Sequence, residues 1–239
     1  LDYDDRKAYV RQCESEYFTD AISYTKIKIL ETFDTAPAGP ARKNHGEVQV
    51  NTQVVGFKKI KFHTMENVGS GELTLPEQEM HTTAYWLTLP REMLESLPYD
   101  RGERLDGVTG LGNALRAMAT LLVMCDARDL GVALGENDEL RMQNSEFRIE
   151  KTTTRHRANI FEPNIYLYDK YPGGVGFSEP LFRMSETLLE NTYKLIANCP
   201  CPAGCPSCVG PAGEVGEKGK EVGLAILRKL SVVSSQLPE

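Results

Sequence analysis

Four of the six cysteines in this chain of 239 residues fall within ten positions: Cys199, Cys201, Cys205 and Cys208, in the run C-P-C-P-A-G-C-P-S-C. Thiols this close can ionise together only if a cation offsets their charge, and Zn²⁺ bound by four sulfurs does so with tetrahedral geometry. Pro200, Pro202, Gly204 and Pro206 supply the bends that let so short a loop close around one ion. The spacing C-x-C-x₃-C-x₂-C is tighter than two separated C-x₂-C knuckles. An iron–sulfur cluster also takes four cysteines, and two disulfides are a further alternative, although bridging neighbours such as Cys199 and Cys201 would close a strained ring. Zinc is the favoured reading of the three. Four sulfurs saturate the ion and leave no position for water or substrate, so the site is expected to be structural and not catalytic. Cys13 and Cys125 are expected to be buried or half-buried structural thiols.

Other candidate chemistry is sparser. There is no G-x-x-x-x-G-K-[ST] phosphate loop, no H-E-x-x-H and no G-x-S-x-G. The histidines His45, His63, His81 and His156 are scattered, so no catalytic residue is assigned. Gly173, Gly174 and Gly176 lie in a turn between an expected strand and a helix, where backbone N–H groups could meet a phosphate; a plain tight turn is the alternative. Two basic clusters stand out. Lys58, Lys59 and Lys61 sit between Phe57, Ile60 and Phe62, and Arg155 and Arg157 flank His156 after Lys151. Basic groups beside aromatics on a sheet can grip single strands through phosphate neutralisation and stacking; a solvated strand face is the bland account. Tyr85 and Trp86 read as core.

The elements that must position these residues follow from periodicity. The composition, 41% hydrophobic and 26% charged, is that of a globular chain and excludes disordered or disulfide-scaffold classes. Net charge −7 argues against a basic nucleic-acid coat, so any polyanion must meet a local patch. No apolar run approaches the length of a membrane span. The chain opens on Leu1 and not Met, which reads as part of something longer.

The first 98 residues are expected to form a small antiparallel β meander or barrel. In Ile22–Phe33, Thr25, Ile27 and Ile29 share one face while Tyr24, Lys26 and Lys28 share the other. A loop is expected around Pro37, Gly39 and Pro40, and Glu47–Val55 alternates again. Gly56 is expected to mark a bulge or tight bend, and Gly69–Gly71 a turn before a strand at Thr82–Leu89. Residues 99–239 are expected to form an α/β unit, giving an α+β fold overall. Gly107–Gly112 reads as a loop leading into a helix with the stripe Leu111, Leu115, Met118, Leu122 and Cys125. A strand is expected at Ile165–Tyr168. Ser178 reads as the N-cap of a helix running to the cysteine loop, and a last helix is expected near Lys220–Leu230.

The run from Tyr168 to Val209, with Y-D-x-x-P-G-G-x-G, an amphipathic helix and C-x-C-x₃-C-P-S-C, resembles the zinc-binding C-terminal region of helicases of the mitomycin repair factor A type. These belong to superfamily 2, the DEAD/DEAH-like ATP-dependent DNA helicases. Val54–Trp86 is similar to the region joining their two-RecA motor to that domain. The resemblance implies Cys199, Cys201, Cys205 and Cys208 as ligands of a structural zinc. It also implies a parent enzyme that translocates 3′–5′ on single-stranded or partly duplex DNA during repair. ATP and Mg²⁺ would belong to RecA-like domains upstream in the same polypeptide, and the parent would be cytoplasmic and nucleoid-associated. Its runner-up is a zinc-stabilised protein-docking module that contacts the motor without touching DNA; an independent enzyme at Gly173–Gly176 ranks last.

Overall fold

A computed structural model describes residues 5, 7–136 and 162–230. Six strands form one sheet: β1 (Tyr17–Ala38), β2 (Ala41–Lys61), β3 (Asn67–Glu72), β4 (Gln78–Thr88), β5 (Leu130–Glu136) and β6 (Pro163–Asp169). Their order is β1-β2-β4-β6-β5, with β3 paired to β2. Among the described residues, six helices accompany them: α1 (Arg91–Glu95), α2 (Arg101–Leu122), α3 (Ser178–Arg183), α4 (Ser185–Ala197), α5 (Ala212–Val215) and α6 (Gly219–Lys229). The fold is mixed, with an antiparallel sheet first and a helical region carrying the cysteine cluster after it.

The chain divides into two compact units. The first comprises residues 1–25 and 52–78, the second 26–51 and 79–239, so the units do not coincide with a single cut at residue 98. In the first unit β2 and β3 pair antiparallel, with Gly56 opposite Glu72 and Lys58 opposite Ser70. Gly56 is not a bulge; the register slips between Lys59 and Ile60. A Cβ at Gly56 would stand 2.8 Å from the Gly71 carbonyl oxygen, so glycine there serves close strand approach. Gly69–Gly71 lies within β3, and the turn falls earlier, where His63 and Met65 take positive φ of 68° and 58°.

In the second unit the expected loop at residues 37–40 is a tight hairpin between two strands. Gly39 supplies φ +61°, and Pro37 lies on β1, which ends the sheet order; edge strands are where proline is tolerated. The expected faces of β1 hold: Thr25, Ile27 and Ile29 are half-buried, and Tyr24, Lys26 and Lys28 are exposed. β6 lies between β4 and β5 and is buried at all seven positions. Both neighbours run antiparallel to it, so Tyr166 sits opposite Trp86 on one side and Ala133 on the other. Alternation along β4 sends Tyr85, Leu87 and Leu89 to the helix-covered core; Ala84 and Trp86 join Val48, Val50, Tyr166 and Tyr168 in a second cluster. Tyr85 and Trp86 are core residues as expected.

Helix α2 is the centre of the helical core and packs against α4, α6 and β5. Asp100 starts it with a capping box: its carboxylate accepts from the Glu103 N–H while the Glu103 side chain accepts from the Asp100 N–H. Gly107–Gly112, expected as a loop, is helical. Gly107, Gly110 and Gly112 are buried because neighbours press on the helix there: a Cβ at Gly107 would stand 2.6 Å from Val222 Cβ, and one at Gly110 would stand 2.9 Å from Val215. The stripe holds at Leu111 and Leu115, whereas Cys125 lies past the helix end. Val222, Ile226 and Leu230 form the expected buried side of the last helix. The single helix expected after Gly176 is two, separated at Met184, and Phe177 and not Ser178 occupies the first N-cap. Cys125 is half-buried, as expected, but Cys13 is exposed.

Candidate metal centre

The segment between α4 and α5 brings Cys199, Cys201, Cys205 and Cys208 together. Their sulfurs all lie within 4.8 Å of one another, and among the described residues this is the one group of its kind. Individual separations are 3.6 Å for Cys199–Cys205, 3.5 Å for Cys201–Cys208 and 3.7 Å for Cys205–Cys208. Metal–sulfur bonds of about 2.3 Å in a tetrahedron put the sulfurs about 3.8 Å apart, so the tetrad fits one ion. A disulfide needs about 2.05 Å, which excludes that alternative in this conformation. A four-iron cluster attaches each thiolate to a different iron and needs wider spacing than this.

Local sequence explains the shape. The carbonyl of Cys205 accepts from the N–H groups of Cys208, Val209 and Gly210, folding C-P-S-C into a knuckle. The N–H of Cys205 in turn points at Cys208 Sγ, 3.4 Å away. Gly204 holds φ +125°, a backbone state closed to side-chain-bearing residues, and a Cβ there would stand 2.6 Å from Val209. Two side chains from outside the loop tie it down: Asn113 of α2 donates to the Val209 carbonyl at 3.1 Å, and Lys220 of α6 donates to the carbonyls of Cys199 and Cys201. Neither is marked by any sequence motif, because both reach the loop through helix packing. Without metal the thiols differ: a hydrogen bond from the Ser207 backbone lowers Cys205 to about 7, whereas burial raises Cys208 to about 12.

The glycine turn after β6 serves the chain itself. Asp169, fully buried, accepts at Oδ2 from the N–H groups of Val175, Gly176 and Phe177 at 2.7, 2.9 and 3.3 Å, and from the Thr83 hydroxyl at 3.2 Å. Gly173 donates its N–H to the His81 carbonyl and Gly174 to that of Tyr171. The donors expected to meet a phosphate at Gly173, Gly174 and Gly176 are therefore committed internally. Asp169 fills the anion position, a role the sequence reading missed although the residue stands in the Y-D-x-x-P-G-G motif.

Of the basic candidates, Lys58 and Lys61 are exposed on β2, and the Lys59 ammonium lies 5.1 Å from the centre of the Tyr17 ring. Phe62, 45% exposed, packs on Phe18 with ring centres 5.5 Å apart. Arg155 and Arg157, with Lys151 and His156, lie outside the described residues. His45 is buried against Phe182, with Nε2 3.0 Å from Asp34, while His81 is exposed between Glu47 and Glu79.

Comparison with known proteins bears directly on the tetrad. Residues 111–209, which include all four cysteines, match the family model of the MrfA Zn-binding domain. The chain is 37% identical over 97% of its length to the uncharacterized ATP-dependent helicase YprA of Bacillus subtilis (strain 168). This chain is homologous to the MrfA-type helicases. A crystal structure of the DUF1998 helicase MrfA bound to DNA covers 96% of the chain with 35% identity and a TM-score of 0.58. The ATP-dependent helicase HRQ1 of Saccharomyces cerevisiae is more distant, 20% identical over 86% of the chain. In each case the match takes in less than a third of the relative: 28% of YprA, 28% of the MrfA chain and 18% of HRQ1. Residues 111–209 thus correspond to the Zn-binding domain of MrfA-like ATP-dependent helicases. No helix of the described residues is long and apolar enough to cross a membrane.

Proposed function

We propose that this chain is the C-terminal accessory region of an ATP-dependent 3′–5′ DNA helicase acting in repair, in which Cys199, Cys201, Cys205 and Cys208 hold a structural Zn²⁺. The ion, when bound, supplies no chemistry beyond cross-linking: the loop following α4 becomes fixed relative to α2 and α6, which Asn113 and Lys220 tie to the same loop. The observation that carries this reading is the sulfur tetrad, sized for one ion, within the matched Zn-binding region. ATP and Mg²⁺ belong to RecA-like domains elsewhere in the parent polypeptide, and a cytoplasmic, nucleoid-associated location follows from work on DNA.

The strand-guiding surface of this reading is the end of β2 that carries Lys58, Lys59 and Lys61, where exposed Phe62 adds a ring for stacking. Arg155 and Arg157 belong to the same proposal on sequence grounds. Replacing Lys58, Lys59 and Lys61 together with alanine should weaken single-stranded DNA binding and reduce the salt slope of log K by about 0.7 per lost phosphate contact. Fluorescence anisotropy over a salt series reads both, and an unchanged slope overturns the DNA-guiding role. The net charge of −7 favours a second reading, a docking surface for the motor that never meets DNA. Under that reading the chain binds the isolated motor and shows no salt-dependent affinity for DNA.

A further inference from the structure

Lys220 stands in the first turn of α6, where that turn meets the cysteine loop: a Cβ at Gly204 would lie 3.6 Å from Lys220 Cβ. Its ammonium donates to the carbonyls of Cys199 and Cys201, both at 2.7 Å, and lies 3.8 Å from the Cys201 sulfur. Lys194 and Lys218 show the ordinary use of a lysine in this region, each paired with a glutamate one turn away. Lys220 is half-buried and turns its charge to the loop.

The chemistry of the site explains why a cation belongs there. Four thiolates around one Zn²⁺ leave two net negative charges, and the tetrad is only partly exposed to water that could screen them. The two carbonyls that Lys220 holds belong to the ligand residues themselves, so one ammonium fixes the Cys199–Cys201 backbone and offsets the excess charge. Groups one bond removed from the ligands commonly set metal affinity in this way.

We propose that Lys220 is a positioning residue of the metal centre, orienting Cys199 and Cys201 and compensating the charge of the four-thiolate site. This rests on the zinc reading above. Arginine retains the charge and the donors, glutamine a donor without the charge, and methionine the apolar stem alone. The test loads the chain and its Lys220→Arg, Lys220→Gln and Lys220→Met variants with zinc, then measures stoichiometry, competition against a chromogenic chelator and the rate of zinc release.

Lys220→Arg should stay within about threefold of the parent, whereas Lys220→Gln and Lys220→Met should lose zinc affinity by about 10- to 100-fold, with faster release. Zinc affinities of the glutamine and methionine variants within twofold of the parent would overturn the proposal, as would an arginine variant as weak as the methionine one. Should Lys220→Met not fold, the Arg–Gln comparison decides by itself. A parent chain that binds no zinc at all would instead overturn the metal reading, so the two failures are separable.

Discussion

At the scale of single residues, the four sulfurs are not equivalent before metal arrives. Cys205 ionises near 7 and Cys208 near 12, because the Ser207 backbone hydrogen bond favours one thiolate and burial opposes the other. Zinc takes thiolates, so binding expels whatever protons the tetrad still carries. Above pH 7 Cys205 has already lost its proton and contributes nothing to that release. Below pH 7 it must give one up, so log affinity should fall more steeply by about one unit per pH unit as the pH drops through 7. Zinc competition between pH 6 and 8 reads this change of slope. Substituting any of Cys199, Cys201, Cys205 or Cys208 with serine should abolish stoichiometric zinc and lower the melting temperature, and chelator should have little further effect on such a variant. Elemental analysis together with thermal melts with and without chelator checks both. The cysteines were legible because chemistry fixed their type and spacing. Lys220 and Asn113 were not, because nothing in their flanking sequence records that two helices bring them to the loop.

At the scale of elements, glycine marks where the sequence was misread. Gly107 and Gly110 suggest a loop by type, yet α2 continues through them because Val222 and Val215 occupy the space a side chain would need. Close packing overrides local propensity here. Gly107→Ala should therefore destabilise by about 1–3 kcal/mol despite the better helix former, because methyl overpacking against α6 outweighs the propensity gain of about 1 kcal/mol. Urea unfolding with an unchanged m-value checks it; a stabilised variant would show that the helices part easily. Asp169 tests the turn in the same way. Its carboxylate holds three backbone N–H groups and the Thr83 hydroxyl, so Asp169→Ala should cost about 1–3 kcal/mol, while Asp169→Asn, which keeps an acceptor oxygen, should cost less. The short hairpin at Gly39 is not legible for a related reason: residues 34–46 lack apolar alternation, because the positions buried there, Ala41, Asn44, His45 and Gly46, are small or polar.

At the scale of the whole molecule, the candidate residues fall in different compact units. The unit of residues 1–25 and 52–78 carries Lys58, Lys59 and Lys61, and that of 26–51 and 79–239 carries the tetrad and the helical core. Because the loop is tied to α2 and α6 by Asn113 and Lys220, removing zinc should loosen the helical core. Hydrogen exchange with and without chelator should show protection lost first in α2, α4 and α6, while the β2–β3 pairing of residues 56–72 keeps its exchange rates. Equal loss in both places would mean that the ion governs the stability of the entire chain.

The sequence by itself determined the cysteine cluster, the strands and helices with strong periodicity, and the class of protein, because each is written in residue type and short-range spacing. Tertiary structure decided the rest. It showed that the glycine turn is filled by Asp169 and has no free donors for a phosphate, that glycines in α2 are contact points and not breaks, and that a lysine from α6 faces the sulfurs. These are meetings between residues 6 to 115 positions apart, Asp169 with the turn at one end and Gly107 with Val222 at the other. Packing sets such distances, and no local pattern encodes them.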